Sequence, residues 1–249
     1  MISIDYRLSP EHRYPCALQD ALDAYLFLTS GSREVVDKIG FLPQNIVLCG
    51  DSAGGNLSLA LAFVLNDIRK KQTDVRMPAA VSVQFPAANL VLGCFSPSRI
   101  LSAMDCFLGI GIGNVCMAAY SDVGPEEDEK VSVTRQEVPW YRSQSWTQSV
   151  DKMQTKLSEA YFNLFAGKFE ELADIPLFIQ ACEFDPLLDD AIQIGKMWRG
   201  PVQVDVIENV MHGFLSFQDF SPEARRGGEV CADRLAQALR LESFTKATV

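Results

Sequence analysis

Asn45-Ile46-Val47-Leu48-Cys49-Gly50-Asp51-Ser52-Ala53-Gly54-Gly55 is the stretch whose reading decides the fold. A short apolar strand runs straight into a glycine-flanked serine, and Leu57 to Ile68 then reads as a helix. A compact apolar strand of this kind is expected to be buried on both faces, as strands of parallel sheets are. Gly50-Asp51-Ser52-Ala53-Gly54 has the spacing Gly-x-Ser-x-Gly. Its physical sense is a sharp strand-to-helix turn that strains the serine backbone and aims its Oγ outward. Glycines on either side let neighbouring backbone pass without a Cβ clash. The N–H of Ala53, at the start of the helix, is then placed to donate to a developing oxyanion. Five residues alone are weak evidence. The bland alternative is a glycine-rich turn in which Ser52 merely caps a helix. A phosphate-binding loop is disfavoured because no Gly-Lys-Ser/Thr follows.

Outward from this turn, Ile2 to Tyr6 alternates as a short strand, and Cys16 to Thr29 has apolar residues at helical spacing. Ala80 to Phe85, Ile175 to Cys182 and Val202 to Ile207 read as further strands. Helices are expected over about Leu188 to Arg199 and Pro222 to Leu241. Alternating strand and helix implies βαβ units and a mostly parallel sheet flanked by helices. The stretch 121–149 breaks the rhythm: it is polar and acidic, includes Glu126-Glu127-Asp128-Glu129, and reads as an insert within a single domain over 1–249. Ile100 to Tyr120, rich in Gly, Ala, Met and Leu, reads as a buried or groove-lining segment, with a lipid-touching surface as the alternative.

The 249 residues are 48% hydrophobic with a net charge of −10, a globular composition that disfavours nucleic acid as a partner. Arg69-Lys70-Lys71, the one compact basic run, suits a helix C-terminus. Seven cysteines at irregular spacing, with no Cys-x-x-Cys, suggest neither a disulfide framework nor a metal site, and fit a reducing, cytoplasmic compartment. No secretory signal or membrane span is read from the sequence.

Only two histidines are available as a general base, His12 and His212. His212 lies in Met211-His212-Gly213-Phe214, just past a strand, whereas His12 sits in a proline-flanked loop and reads as structural. Enzymes with this strand–turn–helix serine take the order Ser, acid, His, which His212 satisfies and His12 does not. Glu183, Asp185, Asp189 and Asp190 cluster beyond the strand ending near Cys182, where catalytic groups of open parallel sheets gather. Asp185 precedes Pro186, which bends the chain out of the strand, and is the preferred acid. Asp189 and Asp190 suit the start of the next helix.

Asp5-Tyr6-Arg7-Leu8-Ser9-Pro10-Glu11-His12-Arg13-Tyr14-Pro15 followed by Gly50 to Asn56 resembles the hormone-sensitive-lipase branch of the α/β-hydrolases. Ser96 to Asp105, Asp185-Pro186-Leu187-Leu188-Asp189-Asp190 and Met211-His212-Gly213-Phe214-Leu215 carry the same resemblance. The resemblance implies an α/β-hydrolase fold with Ser52, Asp185 and His212 as triad and Ala53 N–H as an oxyanion donor. It also implies hydrolysis of acylglycerols, cholesteryl esters or related acyl esters, in the cytosol and at lipid droplets, with no cofactor. The insert would correspond to a phosphoregulatory module; Ser132, Ser143, Ser145 and Ser149 lie in it, but no Arg-Arg-x-Ser marks a site. The family carries a His-Gly-Gly-Gly loop before its Asp-Tyr-Arg-Leu strand, and this sequence starts at that strand. A partial domain lacking the first strands and that loop is therefore expected. Two alternatives are a small-substrate esterase or arylacetamide-deacetylase-like amidase, and a non-catalytic relative that binds an apolar ligand or partner.

Overall fold

The apolar runs of the sequence pair side by side. In the computed structural model, β1 (Val47–Asp51), β2 (Ala80–Gln84), β3 (Leu177–Phe184) and β4 (Val202–Met211) form a four-stranded, wholly parallel sheet in sequence order. The structure describes residues 1–72, 74–90, 96–105, 107–121 and 159–239. Parallel strands need a crossover, and each connection is built around helices. Among the described residues these are α1 (Cys16–Thr29), α2 (Arg33–Ile39), α3 (Ala53–Arg69), α4 (Pro97–Leu101), α5 (Ile110–Ser121), α6 (Leu188–Met197) and α7 (Pro222–Leu239).

Helices cover both faces, so all of β2 and the first six residues of β3 are buried. Their side chains are mostly apolar, with Ser82, Gln84 and Gln180 as the polar exceptions. On one face Val81, Val83, Leu177, Ile179 and Ala181 pack against α1, α3 and α6 through Leu18, Leu59, Leu65, Ala191 and Ile194. On the other, Ala80 and Phe178 meet Ala238 of α7, and Cys182 and Ile207 meet Phe214, Ala224 and Cys231. Fully burying one such large side chain contributes about 1.5–3 kcal/mol, so this double-sided core dominates stability. α3, the helix after the serine, is buried continuously from Gly55 to Phe63 because it is wedged between the sheet and α1. Arg234 of α7 fixes the outer strand by a two-pronged ion pair, with Nε 2.7 Å from Asp205 Oδ2 and Nη2 2.8 Å from Oδ1.

Several expectations need correction. Ile2 to Tyr6 is not a strand. Alternation favours an extended chain but does not supply a partner, and no described strand pairs with this segment. β1 was expected to be buried on both faces, yet only Leu48 of its five residues is buried. Among the described strands it lies at the edge of the sheet, with β2 as its one neighbour. β2, flanked on both sides, is buried at every residue. β4 runs on to Met211, four residues beyond the expected end. α2 was not anticipated, although Ser32 precedes it and Gly40, at φ +88°, closes it in the left-handed conformation that glycine favours. α1 matches its expected bounds, and Arg69 falls in the last turn of α3 as expected. Apart from Ser121, the acidic insert at about 121–149 lies outside the described residues, as do its four serines and everything past Leu239.

Candidate active site

The serine turn is built as its spacing predicts, with one change in how its glycines act. Ser52 has φ +50° and ψ −112°, and its side chain makes no capping bond to α3. Its own N–H donates to Gln84 O of β2 at 2.9 Å. The bland reading of Ser52 as a helix cap is therefore set aside. A Cβ at Gly50 would lie 2.4 Å from the Gly54 backbone, and one at Gly55 would lie 2.9 Å from Pro86 Cβ. A Cβ at Gly54, the last residue of the motif, would meet nothing within 4 Å. The close approaches thus fall on Gly50 and Gly55, the second of which lies outside the five-residue pattern.

Ser52 Oγ lies 2.8 Å from His212 Nε2, and His212 Nδ1 lies 2.8 Å from Asp185 Oδ2. Asp185 Oδ1 also accepts the Leu187 N–H at 2.7 Å, which orients the carboxylate. Asp185 and His212 are 1% and 5% exposed, so these contacts are sheltered from water. A carboxylate only accepts hydrogen bonds. Nδ1 therefore carries the imidazole proton, and Nε2 is left to accept from the serine hydroxyl.

Three local features deliver His212 to this position. The β3–β4 ladder steps from Cys182↔Ile207 to Phe184↔Met211, so β4 takes four residues where β3 takes two. Such an irregularity bends a strand end and re-aims the side chains beyond it. It is held by Asn209, at φ +59°, whose N–H donates to Glu183 Oε2 at 2.8 Å. Gly213 then turns at φ +74°, where a Cβ would strike the Phe107 ring at 2.8 Å. Burial and the neighbouring Asp185 carboxylate push the Cys182 thiol up, which keeps it protonated.

Sequence reasoning missed several residues that shape the site. Phe85, at φ +36°, packs its ring 4.8 Å from the His212 ring at an interplanar angle of 66°. Asn56 Nδ2 donates to Ala87 O at 2.7 Å, and Ala87 N–H donates to Ser52 O at 3.2 Å, locking the segment after β2 against the serine turn. Asp189 and Asp190 do open α6, but they also reach further. Asp189 Oδ2 accepts from Ser98 N at 2.8 Å, and Asp190 Oδ2 accepts from Asn89 N at 2.8 Å and pairs with Arg99 Nη2 at 3.1 Å. Burial pushes the Asp190 carboxyl up, against the opposing pull of Arg99 and of these backbone donors. His12 lies exposed in the turn that links its N–H to Leu8 O.

Ser52 opens on a cavity of about 450 Å³. Its lining is largely apolar and includes Leu57, Leu90, Leu108, Ile110 and Met117. The expected groove-lining segment thus contributes residues of α5 and of the loop before it. Other side chains of the same region, Ile100, Leu101 and Met104, do not line it and are exposed. Ala53 also lines the cavity, and as the first residue of α3 its N–H has no acceptor within the helix. The arrangement can pass a proton from Oγ to Nε2 and present the oxygen to an electrophile held in an apolar pocket. Among the described residues no group of three His, Cys, Asp or Glu is placed to hold a metal ion. No described helix is long and apolar enough to cross a membrane.

Comparison with known proteins bears on this geometry. A family model described as alpha/beta hydrolase fold matches residues 1–216. The chain is similar to hormone-sensitive lipase of Mus musculus, 35% identical over 127 residues that make up 51% of this chain and 15% of the lipase. It is similar to Esterase LipI of Mycobacterium tuberculosis, 26% identical over 228 residues, 90% of this chain and 58% of the esterase. The chain thus spans a small part of the first relative and under two thirds of the second. Among solved structures, a thermostable esterase from Pseudomonas putida superposes with a TM-score of 0.71 at 18% identity, covering 96% of this chain and 64% of that one. Carboxyl esterase 2 of the fungus Tuber melanosporum gives 0.70 at 19%, covering 94% and 66%. At these identities the superpositions show a shared fold.

Proposed function

The chain belongs to the α/β-hydrolase fold family, and from that premise we propose that it hydrolyses carboxylic esters through an acyl-enzyme formed on Ser52. The observation that carries the reading is the unbroken chain from Ser52 Oγ through His212 to Asp185, with both links at 2.8 Å, opening on an apolar cavity. His212 Nε2 takes the hydroxyl proton as Oγ attacks the acyl carbon. The carbonyl oxygen becomes an oxyanion to which the Ala53 N–H donates. Collapse breaks the bond to the alcohol oxygen, which leaves with the proton from His212. Water then attacks the acyl-enzyme with His212 as base, the acid departs and Ser52 recovers its proton. Asp185 stays ionised throughout, holding the imidazole tautomer and stabilising the imidazolium.

The apolar lining favours an acyl chain over a polar one. That supports acyl esters of the acylglycerol and cholesteryl-ester type, with small-ester hydrolysis as the alternative. The exposed Ile100, Leu101 and Met104, on the segment that precedes the cavity-lining residues of α5, support contact with a lipid surface such as a droplet. The five described cysteines are all free, which supports a reducing, cytoplasmic setting. Initial rates on 4-nitrophenyl esters of increasing chain length test the reading. Turnover that falls by about 10³-fold or more in Ser52→Ala supports it. A chain with no turnover, or a Ser52→Ala variant that retains the rate, refutes it.

A further inference from the structure

The cavity wall is not wholly apolar. Arg99, from α4, lines it while being only 7% exposed. A guanidinium carries five N–H donors. Nη2 uses its two, donating to Asn89 O at 2.6 Å and to Asp190 Oδ2 at 3.1 Å. Nε–H and the two Nη1 hydrogens have no acceptor among the described residues. These donors are left to water or to a ligand, and a hydrogen bond from a charged group is among the stronger ones. Arg99 and Ser52 line the same cavity.

The group is rigidly held. Asp190 Oδ2 anchors the guanidinium and also accepts from Ala88 N at 3.3 Å and Asn89 N at 2.8 Å. Ser98, next to Arg99, is tied to the loop of the candidate acid, with its Oγ donating to Pro186 O at 2.9 Å. The donors therefore come preorganised, so little ordering is needed when a ligand accepts from them.

We propose that Arg99 forms a recognition subsite for a second, uncharged oxygen acceptor of the substrate, a carbonyl, ether or hydroxyl oxygen remote from the scissile ester. This deepens the ester-hydrolase reading and rests on it. Charge selects the acceptor class. Asp190, 3% exposed, already neutralises the guanidinium, so a ligand carboxylate would bring a second buried anion beside it. A neutral oxygen satisfies the open N–H groups without that repulsion. Esters whose acyl or alcohol portion carries another oxygen are thereby preferred over purely hydrocarbon esters of the same length.

The test separates binding from turnover. In the full chain carrying Ser52→Ala, calorimetric affinities are compared for ethyl octanoate and its 5-oxo and 7-oxo derivatives. At least one keto ester is expected to bind about tenfold more tightly than ethyl octanoate, as one hydrogen bond to a charged donor allows. Arg99→Met is expected to bring that ratio to about one. Because this variant strands Asp190, Arg99→Met/Asp190→Asn, which removes both charges and keeps an acceptor for Ala88 and Asn89, is measured beside it. Equal affinities for all three esters in the Arg99 protein overturn the subsite, and so does a keto preference that survives in a folded Arg99→Met chain. Nitrophenyl ester turnover by the Ser52 chain is measured separately. Turnover without keto preference removes the subsite alone, while keto preference without turnover removes the hydrolase reading and leaves the subsite.

Discussion

The ring of Phe85 packs against the imidazole of His212 with centroids 4.8 Å apart, and Phe85 holds this place at a backbone φ of +36°. Positive φ is a genuine outlier for a bulky residue and persists only where the surroundings over-determine it. Here Phe85 N–H donates to Gln180 O, and the ring is 1% exposed against His212 and Phe214. One wall of the imidazole is thus fixed by the end of β2. Phe85→Leu keeps the site apolar but removes the flat wall. It is expected to lower kcat about tenfold or more with KM little changed, because a base displaced by a fraction of an ångström loses alignment with Oγ. Steady-state kinetics beside a urea melt separate this from global destabilisation. A kcat unchanged in a folded Phe85→Leu chain removes the positioning role.

Gly54 and Gly55 are expected to respond oppositely to alanine. A Cβ at Gly54 meets nothing within 4 Å, so Gly54→Ala should leave unfolding free energy within about 1 kcal/mol of the parent, with helix propensity acting in its favour. A Cβ at Gly55 lies 2.9 Å from Pro86 Cβ and 3.0 Å from its Cα, so Gly55→Ala should cost about 1–3 kcal/mol through overpacking. Denaturant midpoints of the two variants check this. Equal losses would mean that the close approach at Gly55 relaxes freely.

The Asp205–Arg234 pair gives a pH signature. The hydrogen bond from Arg234 holds the Asp205 carboxyl below its ordinary value. A carboxylate depressed in the folded state contributes stability above the unfolded value of about 3.9, and that contribution is lost as pH falls through the folded value. Arg234→Gln removes the depression. The parent is expected to be the more stable chain at pH 6, with the gap narrowing below about pH 4. Urea melts at pH 6, 4 and 3 read it, and a gap independent of pH would contradict the assignment.

Asp185→Asn tests tautomer control. An amide presents a donor as well as an acceptor, so it can hold the imidazole with the proton on Nε2, where it cannot accept from Ser52. A loss of about 10³–10⁴ in kcat is expected while the fold persists. A folded Asp185→Asn chain within tenfold of the parent would place the acid elsewhere, with Glu183 the next carboxylate to examine.

Much of this site was legible in the sequence because its chemistry is tied to local patterns. Ser52 announces itself by a strand, a glycine-flanked turn and a helix. His212 was one of two histidines, and Asp185 is set apart from its acidic neighbours by the proline that follows. What escaped reading depends on the third dimension. Nothing local marks Arg99 as the partner of Asp190, 91 residues away. Phe85 reads as a strand residue before a proline, with no sign that its backbone turns to positive φ. The edge position of β1 follows from strand order, which apolar runs do not encode. Ile2 to Tyr6 shows the converse error, since alternation was read as a strand where no described strand pairs with it. α2 could have been found, because Ser32, the Glu34–Lys38 pair at 2.8 Å and Gly40 are ordinary helix signals.

The central claim is that Ser52 is a nucleophile activated by His212. Its most direct test is exposure of the purified chain to a fluorophosphonate, followed by intact mass and peptide mapping. The account predicts a single adduct on Ser52, formed quickly in the parent, slowly in His212→Ala and not at all in Ser52→Ala. An unlabelled parent chain that is folded, or an adduct mapped to another residue, would contradict it.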